Sequence, residues 1–254
     1  MAEQKKHHFK EMTIVEHLDE LRTMMIKILL IIFMGFFAIY GLSDYLTSCL
    51  LKPLKEALGS HGQIVYLSVF DKVVVQLQLS FWATVIATSP LLFWQLWAFI
   101  RPGLYEKEAK VIKPFMWVGF LLFASGVLFA YFVVFPFTLN ILVNFGTTDI
   151  VASISFSDYI LLTIKVLVLF GVLFQIPNVM IILGFLEVVT KQSLAALRRY
   201  VYVGFTVLAA VITPPDVVSQ LILLVPLIIL FELGIIGVAL IVHPYLYRKY
   251  QVPG

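Results

Sequence analysis

The sequence predicts an all-α, polytopic membrane protein with six transmembrane helices, and three observations carry that prediction. Hydrophobic residues make up 61% of the 254-residue chain and charged residues only 13%. A soluble domain of this length has no core large enough for so much apolar surface. The apolar residues fall into six runs, 23–42, 73–96, 114–139, 159–186, 200–213 and 217–242. Lysine and arginine alternate sides between those runs. Lys5, Lys6, Lys10, Arg22 and Lys27, then Arg101, Lys107, Lys110 and Lys113, then Lys191, Arg198 and Arg199, then Arg248 and Lys249, share one side. The other side holds only Lys52, Lys55 and Lys72. The positive-inside rule therefore puts both termini in the cytoplasm, with 1–254 forming one integral membrane domain.

Taken in order, the chain opens on a polar, basic stretch that is long for a cleavable signal peptide, and no A-x-A-like site follows it. Thr13 and Glu16 have capping-box spacing. Ile14, Leu18, Leu21 and Met25 form one apolar stripe, so Thr13–Arg22 predicts a short helix on the cytoplasmic surface before the first span. Glu20 in that helix has no lysine or arginine three or four positions away; its helical neighbours are Glu16, His17, Thr23 and Met24. The first external loop, 43–72, is broken by Lys52-Pro53 and by Gly59-Ser60-His61-Gly62, with short helices between them.

After the second span comes the longest charged interval, Trp97–Lys113. Pro102-Gly103 stops helix continuation, and Leu104–Lys113 reads as a short polar helix climbing into the third span at Pro114. Glu106 has Lys110 four residues on, the favourable order for a local pair. Glu108 has only Leu104, Tyr105, Val111 and Ile112 as helical neighbours, so it is read as available to an outside cation. Further on, the fifth run holds 14 residues, about 21 Å of helix against a hydrocarbon core of ~30 Å. The fifth and sixth helices are accordingly predicted to be short.

The histidines lie in loops or at span ends, and neither H-E-x-x-H nor G-x-S-x-G occurs. A single Cys49 excludes an intrachain disulfide and a cysteine metal cluster. The reading is therefore of a protein that is not an enzyme, with no cofactor, no metal and no nucleic-acid partner. Polar residues within the spans are costly and point to function. Lys165, about 10 Å below Asp158 on the same helix face, joins Gln175 and Glu232 in that class. Two accounts remain open for them. They form the midplane site of a secondary transporter, or Lys165 snorkels, Gln175 takes a carbonyl freed near Pro177 and Glu232 sits at the cytoplasmic interface.

Four motifs in order, HLDELR (17–22), WAFIRPGLYEKE (97–108), FAYFVVFP (129–136) and TPPDVVSQ (213–220), closely resemble those of TatC, a family of twin-arginine translocase proteins. The resemblance implies a six-span receptor in a prokaryotic inner membrane for the twin-arginine signal peptides of folded precursors, driven by the proton-motive force. It implies TatA and TatB single-span helices as partners, a surrounding lipid bilayer, and a homo-oligomer within a hetero-oligomeric complex. By position, Glu20 and Glu108 would recognise the signal, with Arg22, Phe99, Pro102, Leu104 and Tyr105 shaping the same surface. Thr213, Asp216 and Gln220 would mark the docking edge for a partner helix, and Pro53 matches a structural position in the first external loop. Two departures stand out: Gln175 where relatives often carry Glu, and the charge at Lys165.

Overall fold

The computed structural model describes residues 14–59, 62–144, 152–212 and 217–245. Five helices are long and apolar enough to cross a membrane, six when one bent pair is taken as a single span. α1, Ile14–Tyr40, runs unbroken from the polar HLDELR turn into the bilayer segment. The surface helix expected at Thr13–Arg22 is therefore the first turns of α1, because neither glycine nor proline interrupts the chain near Arg22. Thr13 lies outside the described residues.

α2, Ser43–Leu58, buries Leu50, Leu54 and Leu58 and carries Pro53 inside it. A proline there removes the N–H that would bond the carbonyl four residues back. That carbonyl is Cys49's, and Tyr131 Oη donates to it at 2.8 Å. Tyr159 Oη does the same for Leu50 O at 2.9 Å, so two tyrosines packed in or against the hydrophobic core hold α2 in place. β1, Gly62–Val65, pairs in parallel with β2, Ala152–Ser155, with Gly62 opposite Ala152. This ladder, absent from the expectation, joins the segment after α2 to the one before α7 on the face that the charge pattern predicts to be external.

The second span is broken. α3, Asp71–Ala87, and α4, Ser89–Ile100, meet at 58°. Pro90 cannot bond the Ile86 carbonyl, and Ser89 Oγ takes it at 2.7 Å. A 3-10 turn over Arg101–Gly103 leads to α5, Glu106–Phe129, which passes straight through Pro114. No separate polar helix precedes that span. A π turn at Ala130–Val134 joins α5 to α6, Phe135–Asn144.

α7, Phe156–Leu173, and α8, Ile176–Phe185, split the fourth span before Pro177. α9 covers Lys191–Ile212, and α10 covers Val217–Gly237 before a second π turn at Val238–Val242. The 22-residue α9 starts well before the predicted fifth run, because Leu194 is buried on an otherwise polar first turn. Its apolar part stays short while the helix does not, and α10 with its π turn covers all of 217–242.

α7 lies between α3 and α5, and α1 packs on α3 and α4 at the periphery. At Gly126 the α5 and α7 backbones nearly touch: a Cβ there would stand 2.5 Å from the Phe170 carbonyl oxygen. One core cluster gathers Leu79, Ile160, Phe170 and Leu227; a second gathers Trp97, Ile112, Met116, Phe185 and Phe231. The second one reaches the site described next through Trp97.

Candidate functional site

The first turns of α1, the end of α4 and the start of α5 enclose two adjoining cavities. Glu20 lines both. The larger, about 810 Å³, is walled by Trp94, Trp97 and Ala98 of α4, by Arg101, Pro102 and Leu104 of the connection, and by Glu106, Ala109, Lys110 and Lys113 of α5. The smaller, about 290 Å³, lies between Asp19, Thr23 and Lys27 of α1 and Gln95 and Phe99 of α4. The His17 ring stacks on Phe99 with centroids 4.6 Å apart, fixing the α1 end against α4.

Glu20 is the unusual member. Its Oε2 is buried and has no hydrogen-bond partner. Within ion-pair range among the described residues it has only the His17 imidazole, whose Nδ1 lies 3.9 Å away. Buried polar atoms are almost always bonded, so a bare carboxylate oxygen on a cavity wall is an acceptor awaiting a donor.

Glu108 differs from its expectation. It occupies the third position of α5, and its Oε2 accepts the backbone N–H of Tyr105 at 3.1 Å. The carboxylate thus serves the helix start, as in a capping box. Sequence spacing missed this, because a helix beginning at Glu106 assigns that role by position rather than by charge partner. Glu106, expected to pair with Lys110, forms no ion pair with it among the described residues and lines the large cavity instead. Leu104 and Pro102 also line that cavity and Phe99 the small one, whereas the exposed Arg22 and Tyr105 line neither. Tyr105 stands instead at the N-cap of α5.

A model of the family Sec-independent protein translocase protein (TatC) matches residues 16–226. The chain belongs to the TatC family. TatC of Helicobacter pylori strain J99 is 41% identical over 183 residues, 72% of this chain and 73% of that protein. TatCy of Bacillus subtilis strain 168 is 34% identical over 245 residues, 95% of this chain and 92% of that one. A solved structure described as the twin arginine translocase receptor TatC superposes with a TM-score of 0.80 at 32% identity, covering 89% of this chain and 99% of that chain. As a TatC protein, the chain is a membrane component of the Tat protein translocase and not an enzyme.

The intramembrane polar residues of this TatC protein do not converge. Gln175, half-buried before α8, donates to the Gly119 carbonyl at 2.8 Å and accepts from Asn178 Nδ2 at 3.3 Å. It bridges α5 and α8 where a Cβ at Gly119 would crowd it. Glu232 on α10 is gripped by Arg198 of α9 through Nε at 2.7 Å and Nη2 at 2.6 Å, and by the Tyr202 hydroxyl. Lys165 is exposed on α7 without an ion pair among the described residues. A midplane transporter site built from these three residues has no support here, since each has different partners or none.

Gln220 Nε2 donates to the Thr206 carbonyl of α9 at 3.2 Å. Thr213 and Asp216, expected beside it at a docking edge, lie outside the described residues.

Proposed function

We propose that this protein is the receptor for twin-arginine signal peptides, and that the paired cavities at the α1–α4–α5 end take the two arginines. The observation that carries the reading is the buried Glu20 Oε2, without a hydrogen bond, on the shared wall. A guanidinium presents a planar donor fork that a carboxylate accepts bidentately, and an ammonium cannot reproduce it. Trp94, on the wall of the same large cavity, adds an aromatic face on which a guanidinium can stack. Arg22 and Tyr105, outside the cavities, would border the path of the bound leader, and Glu108 would keep the start of α5 in register.

The same reading places this end of the molecule, and both termini, on the cytoplasmic side of a prokaryotic inner membrane. Folded precursors would be delivered there and moved at the expense of the proton-motive force. TatA and TatB helices would dock along α9 and α10 near Thr213, Asp216 and Gln220. Several copies would assemble with them into one complex. The apolar part of the leader would follow the span surfaces past Gln175.

The test is equilibrium binding of a fluorescent twin-arginine signal peptide to the full-length protein in lipid nanodiscs, beside a twin-lysine peptide. Wild-type protein should prefer the twin-arginine form, and Glu20→Gln should remove most of that preference. Equal binding of both peptides by the wild type would refute the reading.

A further inference from the structure

We infer that the exposed face of α7 centred on Lys165 docks a partner's membrane-spanning helix, one that carries a carboxylate level with the lysine. One side of α7, with Tyr159, Ile160, Thr163, Ile164, Leu167 and Phe170, is buried in the fold. The opposite side holds Asp158, Leu162, Lys165 and Val172, all exposed and recurring at the spacing of a single helical face. Lys165 is the sole charged residue of the apolar run 159–186. It lies about 10 Å of helix beyond Asp158, toward the middle of the span. A lysine at that depth is costly unless a partner meets its ammonium. The fold supplies none: among the described residues Lys165 has neither an ion pair nor a hydrogen bond.

Two occupants carry the required negative charge, a lipid phosphate and a carboxylate on a neighbouring helix. Asp158 decides between them. A snorkelling lysine carries its charge toward the start of α7, where lipid phosphates lie and where Asp158 already stands, and a second anion there is repelled. A carboxylate at the depth of Lys165 meets the ammonium two helical turns away from Asp158. Between helices in hydrocarbon there is no hydrophobic drive to associate, so one polar contact of this kind supplies both affinity and register. Leu162 and Val172 flank the lysine with apolar surface for the rest of the contact. This face shares no residue with the cavities around Glu20 and does not depend on what they bind.

The probe is an alanine-leucine transmembrane peptide with one Glu about 10 Å from its end, beside the same peptide with Gln or Lys at that place. Binding to the full-length protein would be read by fluorescence energy transfer in phosphatidylcholine liposomes. Wild-type protein should hold the Glu peptide about tenfold more tightly than the Gln peptide. Lys165→Gln should erase that difference. Lys165→Glu should reject the Glu peptide and take the Lys peptide instead, a gain that a misfolded variant cannot show. Equal affinity of wild type for the Glu and Gln peptides, or a Glu preference that survives Lys165→Gln, overturns the inference. A Glu preference abolished by adding phosphatidylglycerol also overturns it, and assigns the lysine to lipid phosphate. Twin-arginine peptide binding should be the same in wild type and both Lys165 variants, so the receptor reading stands or falls separately.

Discussion

Glu20 and Glu232 are two carboxylates of nearly equal exposure, 35% and 30%, in very different situations. Glu232 joins α9 to α10: a bidentate arginine and a tyrosine hydroxyl fill its lone pairs. Glu20 has a histidine at 3.9 Å, a bare buried oxygen and a cavity on either side. The difference shows that exposure and residue type do not separate a structural acid from a binding one. The inventory of donors within reach does, because a carboxylate already saturated by its own fold has nothing left for a ligand.

That contrast can be broken by four substitutions. The largest effect is expected from Glu20→Gln, which should cost twin-arginine binding about tenfold or more while leaving the unfolding temperature within error. Glu232→Gln should do the reverse. The Arg198 fork is left unmatched, so nanodisc-embedded protein should unfold at a lower temperature while the folded fraction still binds peptide. Loss of peptide binding by folded Glu232→Gln protein would erase the distinction between the two acids. His17→Ala removes the stack on Phe99, a contact of about 0.5–1.5 kcal/mol, and should weaken the peptide roughly two- to tenfold through a looser α1 end. Smallest is Glu108→Ala, which loses one cap-type bond at the α5 start, about 0.5–2 kcal/mol, read as earlier local hydrogen exchange over 105–109.

Much of this architecture was legible in the sequence because hydropathy runs and charge asymmetry are local, additive signals. The spans at 114–139, 159–186 and 217–242 are found in the structure with shifts of a few residues. The break in the second span was not read, although Ser89-Pro90 marks it, because the apolar run continues across the bend. The early start of α9 went unread for the opposite reason: an amphipathic turn with Arg198 and Arg199 does not register as a membrane segment. The β1–β2 ladder joins segments far apart in the chain, and no local pattern announces such pairing.

At the site, Glu20 was singled out for lacking a lysine or arginine at helical spacing, and in the structure it has the His17 imidazole at 3.9 Å and no hydrogen bond to its buried Oε2. Glu106 and Glu108 were assigned by the i,i+4 rule, which ignores where a helix begins. Once α5 starts at Glu106, the third residue is drawn to the backbone and the first is left facing the cavity. Gln175, read either as part of a midplane site or as the donor to a carbonyl freed near Pro177, donates to the Gly119 carbonyl and ties α5 to α8.

The most direct test of the central claim is photo-crosslinking from a photoreactive residue placed beside the two arginines of a signal peptide, using full-length protein in native-like membrane. Adducts should map to 17–24 and 94–113, fade with Glu20→Gln and be scarce for a twin-lysine peptide. Adducts centred on 198–202 and 232, or equal yields from both peptides, would contradict it.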